Sequence, residues 1–563
     1  MKRLFNDIRT FGQSKIYMAG LILIAVCAYG YAVTHYAIGM DDTAIPLYFE
    51  EGLAPYVGRW SLFILNKIFH ITALAPWVVE LTSVLLLMLA ATLWCILWKR
   101  ICEPRIAIPV WCYLFAAGIF ISCPLISEIF VFYLHNGICL GYGVTALALV
   151  CFMNGLSLEE TRKYRLSQMG LSAVLLAFAL GCYESFLIVY VMGAVMCFFL
   201  IHRFYGKNEE DSGYSVKLFS WAGSGILVGL SGLVIRMVVL TVLKVVYHLD
   251  RLSGYNVLYR SLFGDIFAAE GELIMVLKRF FVKYYVNALV YLPVTVLVLA
   301  LIFIGIYSLY FGIRKKDILL PVCAVMLATL PVLMSLVEGL ATRYRSAQYV
   351  PVVGAFAIFL LMLEIHLKSD KLPKWMEVLG AGCIGALIIV QCIDMNRWFY
   401  MDYQKYRDAE EVMSGIACDL ERECDISKPI IFRGAYTVPY EISEDAYVDF
   451  SSKQYRWICR LTDWLDPHLK EKYFGEAGRG YVFAESPIVS VLQWGTTAFD
   501  GTSGQLIEFW KIHGYDSFFC ETDLDVIEEA EKVRTEEKMP GYPNEGYIKE
   551  CEDYIIVNFA AAE

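Results

Sequence analysis
Eleven apolar stretches of roughly membrane-spanning length fill the first 393 residues: 16–38, 71–98, 106–126, 137–153, 166–182, 185–200, 218–246, 285–311, 318–337, 347–367 and 378–393. A helix needs about 20 mostly apolar residues to cross a hydrocarbon core, where every backbone polar group must be satisfied internally. The expected fold class is therefore a polytopic α-helical membrane protein. Composition agrees: 58% of the 563 residues are hydrophobic and 18% charged, which excludes a single soluble domain and equally excludes disorder. With a net charge of −10 there is no general basic field, so nucleic acid is not an expected partner.

Gly181-Cys182-Tyr183-Glu184 puts a breaker and a carboxylate between the fifth and sixth stretches, which reads as two helices joined by a tight turn. Lys2, Arg3, Arg9 and Lys15 precede the first stretch, and Lys99, Arg100 and Arg105 follow the second. Basic residues follow the fourth, sixth, eighth and tenth as well, so the positive-inside rule places the amino terminus in the cytoplasm. The first stretch lacks a small-residue cleavage site and is expected to stay as an anchor.

Eleven crossings put residues 396–563 on the extracytoplasmic side. That segment holds 17 basic and 33 acidic residues, a net charge of −16, and is punctuated by Gly and Pro. The expected division is a membrane domain over 1–395 and a small soluble α+β domain over 396–563, with strands over 428–435 and 481–484 and helices over 403–423 and 523–537. Its five cysteines (Cys418, Cys424, Cys459, Cys520 and Cys551) are an odd set, within which Cys418 and Cys424 are close enough in sequence to pair. No spacing suggests a zinc site.

The first outer loop carries the most chemistry. Asp41 and Asp42 follow the first stretch directly, and Gly58-Arg59-Trp60 comes shortly after. An acid pair at the bilayer surface supplies a base, and Arg59 a phosphate anchor. The same aspartates also suit the N-cap of a short helix over 44–51 that Gly52 ends. Residues 60–70 place Trp60, Phe63, Ile64 and Ile68 on one helical face, with Lys67 and His70 toward water, the pattern of a helix lying on a membrane. Elsewhere on this face, Tyr183 and Glu184 occupy the tight turn, His135 lies in the second outer loop, and Arg343 and Arg345 precede the tenth stretch against the positive-inside trend. Lys278, Arg279 and Lys283 mark another amphipathic segment. Within the seventh stretch, Lys244 is near enough to the end to snorkel, whereas Arg236 lies deeper.

An aspartate pair outside the first helix, followed by a Gly-Arg-Trp entry to a membrane-lying helix in a many-spanning chain, resembles the serotype-conversion integral-membrane glucosyltransferases (glucosyltransferase type II). These lie within the C-type glycosyltransferase (GT-C) superfamily. The resemblance covers the layout of 16–396, but in residues only 41–69. It implies transfer of a hexose from a polyprenyl-phosphate carrier to a cell-surface glycan or lipid-linked saccharide outside the cell membrane, with inversion, and a catalytic carboxylate at Asp41 or Asp42. Arg59, Arg343 and Arg345 would hold the donor phosphate, and Trp60, His135, Tyr183 and Glu184 would line the substrate site. Glu50 and Glu51 add further acid nearby and leave the choice of base open.

Asp41, Asp42 and Glu184 are chemically able to ligate a divalent metal, but arginine alone neutralises a leaving phosphate, so no metal or other cofactor is expected. In the tail, Tyr455, Trp457, Trp464, Trp494, Phe509 and Trp510 suit either sugar stacking or core packing. A flippase of lipid-linked sugars, or a polysaccharide polymerase or ligase, is the alternative. The first needs ionisable groups at mid-membrane depth, the second a lipid-linked oligosaccharide donor. No Walker-A, Gly-x-Ser-x-Gly or His-Glu-x-x-His pattern is present, which removes ATP-driven transport and the usual hydrolases.

Overall fold
A computed structural model describes residues 2–45, 49, 53–69, 76–132, 137–206, 212–248, 292–331, 346–369, 371, 373–436, 491–494 and 501–559. The membrane part comprises α1 (Lys2–Gln13), α2 (Lys15–Thr34), α3 (Met40–Thr43), α4 (Leu53–Tyr56), α5 (Trp60–Phe69), α6 (Pro76–Cys102), α7 (Val110–Ile121), α8 (Ser127–Phe130), α9 (Ile138–Leu156), α10 (Arg162–Cys182), α11 (Phe186–Tyr205), α12 (Leu218–Tyr247), α13 (Leu292–Lys315), α14 (Leu319–Thr329) and α15 (Tyr349–Leu367). It is followed by α16, a single helix over Lys374–Glu423.

Nine helices among the described residues are long and apolar enough to cross a membrane. A tenth crossing results if α7 and the segment Pro124–Phe130, bent by 41°, form one span. That is fewer than the eleven expected, for a simple reason: 318–337 is described only through residue 331, and its helix α14 has 11 residues. The bend in 106–126 falls at Pro124, which has no N–H to continue the helical ladder. Near the break, the Ile121 carbonyl accepts from the Tyr29 hydroxyl at 2.7 Å, and Ser122 Oγ donates to Gln391 Oε1 at 2.8 Å.

Small residues let the helices approach closely, as membrane packing requires. A Cβ on Gly141 would stand 2.2 Å from the Phe186 ring, so α9 and α11 meet at a point that tolerates no side chain there. At the end of the bundle bearing the basic exits, Arg100 Nε bonds Asp7 Oδ2 at 2.8 Å and ties α6 to α1. Arg203 of α11 bonds Tyr307 and Glu364 there, joining α13 and α15.

The expected domain boundary at 395/396 falls inside α16, which runs through it unbroken. At 1.5 Å per residue its 50 residues extend about 75 Å, far more than a bilayer core needs. Its distal half presents Ala409, Val412, Met413, Ile416, Ala417 and Leu420 at helical spacing to a second hydrophobic core. Around this stripe fold β1 (Ile430–Arg433), α17 (Val491–Trp494), α18 (Gly504–Ile512), α19 (Leu524–Glu536), β2 (Ile548–Glu550) and β3 (Ile555–Asn558). The sheet order is β1-β3-β2, with β1 parallel to β3 in the register Ile430↔Ile555, and β2 antiparallel to β3. The helix expected over 523–537 and the first expected strand are present, whereas 481–484 lies outside the described residues.

Cys418 and Cys424, which sequence spacing left able to pair, are both free thiols. Cys418 is on α16 and Cys424 caps its end, six residues on, which faces the two in different directions. Phe509 and Trp510 are core residues, Trp510 donating Nε1 to the Met413 carbonyl at 2.8 Å. Packing, rather than sugar stacking, explains both.

Candidate active site
The loop leaving α2 enters the soluble unit. Ile38 is part of the second hydrophobic core, and α3 with its two aspartates lies against α18. Asp42 is buried, and its Oδ2 accepts from the Gly39 N–H at 2.9 Å. This is half of a capping box, an acid in the first turn reaching back to the residue before the helix. Asp42 therefore caps α3; most of the helix expected over 44–51 lies outside the described residues. The Asp41 side chain, His135, Arg343, Arg345, Glu50 and Glu51 lie outside the described residues, as do Lys278, Arg279 and Lys283.

Further along the same loop, Gly58-Arg59-Trp60 docks residue by residue on the turn between α10 and α11. Gly58 N–H and Arg59 N–H bond the Pro55 and Ala54 carbonyls at 3.1 and 2.8 Å, closing a tight turn after α4. Gly58 has φ of +89°, a conformation that costs any other residue. Space reinforces the point, since a Cβ there would stand 2.2 Å from Arg236 Nη2 and 2.6 Å from Glu184 Oε1. Those two atoms form an ion pair at 2.7 Å between α12 and the turn.

The Arg59 guanidinium carbon lies 5.1 Å from the centre of the Tyr183 ring, within cation–π range, and Arg59 is buried. The Tyr183 hydroxyl lies 3.3 Å from Ser346 Oγ, the residue that follows Arg345 in sequence. Trp60 meets Phe178 edge-on at 5.8 Å, and Gly181 leaves room for it: a Cβ there would stand 2.5 Å from the indole. Ser61 Oγ donates to the Phe178 carbonyl at 2.7 Å.

Helix α5 consequently packs on α10 through Trp60 and Ser61 and meets Tyr247 of α12 through Phe63 at 4.9 Å; Leu62 and Asn66 are buried as well, while Lys67, Ile68 and Phe69 are exposed. The expected apolar face is shifted, with Ile68 outside it. The cause is the Gly181 notch and the Phe178 carbonyl, which draw Ser61 inward.

The fold thus assembles Arg59, Trp60, Tyr183 and Glu184 from segments more than 120 positions apart in sequence. It adds Arg236 and Gly58, which sequence reasoning had not placed in the site. An isolated cation inside an apolar helix was the available signal for Arg236 and a carboxylate at a tight turn that for Glu184, but nothing in sequence paired the two across 52 positions. Among the described residues no three of His, Cys, Asp or Glu are grouped to hold a metal ion.

A many-spanning helical bundle with a soluble α+β unit, whose first loop brings arginine and acid to one end, defines a membrane protein with its candidate chemistry at a surface. The family profile described as Glucosyl transferase GtrII matches residues 30–362, more than half of the chain, and the protein belongs to that family. It is a glycosyltransferase of the multi-pass membrane type. Comparison with curated proteins and with solved structures returned no match.

Proposed function
We propose that this chain transfers a glucosyl residue, or another hexose, from a polyprenyl-phosphate-linked donor to a cell-surface glycan or lipid-linked saccharide on the extracytoplasmic face of the cell membrane. The observation that supports this best is the docking of the acid-bearing first loop, through Gly58-Arg59-Trp60, onto the turn that carries Tyr183 and Glu184. That loop has the parts such a reaction needs at one end of the bundle: a carboxylate, a cation and an edge near lipid.

In the proposed GT-C-type reaction a carboxylate takes the proton of an acceptor hydroxyl as its oxygen attacks the anomeric carbon. The bond from that carbon to the phosphate oxygen breaks, and polyprenyl phosphate leaves with the bonding electrons, inverting the anomeric centre. Asp42 has Oδ2 committed to Gly39, so the base role falls to Asp41 and Asp42 shapes its helix. Arg59, Arg343 and Arg345 are assigned to the phosphate, and Trp60, His135, Tyr183 and Glu184 to the sugars. Arginine neutralises the leaving group, and the reaction as proposed uses no metal.

The test is mass spectrometry of surface glycans from cells expressing the wild-type chain, Asp41→Asn, or no chain, at matched membrane levels. A hexose-sized gain with wild type that vanishes in the variant is expected. An equal change with both chains would overturn the assignment of Asp41 and favour a lipid-linked-sugar flippase.

A further inference from the structure
Arg236 lies well inside α12, a helix of 30 residues whose apolar surface is largely exposed: Leu230, Val234, Met237, Val238 and Val245 are each more than half exposed. In a bilayer these positions face lipid. A guanidinium at such a seam is costly unless paired, and one kept there is a functional group by default. Its partner Glu184 satisfies it only in part. The contact is single, Nη2 to Oε1, where a guanidinium and a carboxylate ordinarily engage through two parallel bonds.

Arg236 Nε is buried without an acceptor among the described residues, and so is Trp60 Nε1, which lies against Gly181. A buried guanidinium N–H without an acceptor, on a side chain paired only once, marks a place short of oxygen atoms. A phosphate ester supplies them in the planar arrangement a guanidinium fork matches. An apolar tail attached to it would have the exposed face of α12 to lie along.

We infer that Arg236, held in place by Glu184, is a further phosphate-binding residue, and that its ligand is the phosphate of a polyprenyl-phosphate lipid whose chain runs along α12. The inference rests on the donor class proposed above. Bilayer phospholipid offers the same phosphate chemistry, so the test must separate the two sources.

Binding of a short-chain polyprenyl monophosphate to purified protein in maltoside micelles would be measured for wild type, Arg236→Gln, Arg236→Lys and the exchange variant Glu184→Arg with Arg236→Glu. Phosphatidylglycerol serves as competitor, and sugar transfer is followed in parallel. The expected result is that Arg236→Gln weakens binding about tenfold or more, the loss of one charge-assisted contact. Arg236→Lys should fall between.

The exchange variant restores an ion pair and thermal stability but not binding, because it sets a carboxylate where the phosphate would go. Recovery of wild-type binding in that variant would show the pair to be a strut and overturn the proposal. So would unchanged binding in Arg236→Gln, or phosphatidylglycerol displacing the probe at equal concentration from wild type. If wild type binds the probe through Arg236 yet transfers no sugar, the proposed reaction fails while the phosphate site stands.

Discussion

Gly58 shows how much of the site rests on a missing side chain. Its positive φ strains any other residue, and the 2.2 Å approach of Arg236 Nη2 means a methyl group would push the Arg236–Glu184 pair aside. Gly58→Ala should cost roughly 1–3 kcal/mol in strain alone, read as a lower thermal midpoint of the purified protein, and should abolish transfer. Retained stability and activity would mean the loop does not dock as described. Arg59 makes a different demand. Lysine keeps its charge but not the planar group over Tyr183, so Arg59→Lys should raise the donor KM severalfold with little change in protein level. The presence of chemistry at these residues was legible from the Gly-Arg-Trp run and from an arginine inside an apolar helix. The pairing was not, because nothing local in sequence says that residue 236 meets residue 184. Asp42 was legible from sequence both as a base and as a cap, and one of its oxygens is seen capping its own helix turn.

At the scale of elements, hydropathy located nearly every crossing, because a spanning helix must satisfy its own backbone wherever its neighbours are. What it did not reveal were events made by tertiary contacts. The break at Pro124 splits one apolar run, and α16 fuses the last crossing to the first helix of the soluble unit, since no Pro interrupts 374–423 and neither Gly nor Pro lies in 386–414, where the two join. The short strands β2 and β3 also escaped reading, being only three and four residues long.

Ile38 is the joint between the two halves, an apolar side chain from the first loop inside the soluble core. Ile38→Ala should lower the stability of that unit by about 2–4 kcal/mol and loosen the acidic segment beside it. Hydrogen exchange in the full chain would show faster exchange in both α3 and α18; protection unchanged in α3 would separate the two. The sheet has its own pH signature. The hydrogen bond from Lys428 holds the Glu550 carboxyl below the usual glutamate range. A depressed acid contributes stability above its unfolded value, about 4.3, and loses it as pH falls through the lower folded value. Exchange at β2 should therefore rise below that pH in wild type, and change less in Lys428→Met.

For the whole molecule, the proposed orientation places the soluble unit outside the cell. Cys418 is an exposed free thiol on that unit and serves as its own reporter. In intact spheroplasts a membrane-impermeant maleimide should label it without lysis in a Cys459→Ser background, and adding Cys418→Ser should lower the signal from residues 396–563. Labelling only after lysis would invert the topology and move the first loop to the cytoplasm. Once such labelling fixes the orientation, the proposed reaction is a single one, in which sugar leaves a lipid phosphate at the end of the bundle where Gly58-Arg59-Trp60 docks, with Asp41 proposed as base. The most direct measurement is transfer by purified protein from polyprenyl-phosphate glucose to an acceptor glycan, comparing wild type, Asp41→Asn and Asp42→Asn. Wild type should transfer, and Asp41→Asn should fall about 100-fold or more with donor binding intact, the usual worth of a general base. Asp42→Asn should chiefly lower stability. An Asp41→Asn rate equal to wild type, or no transfer by wild type from that donor, would contradict the account.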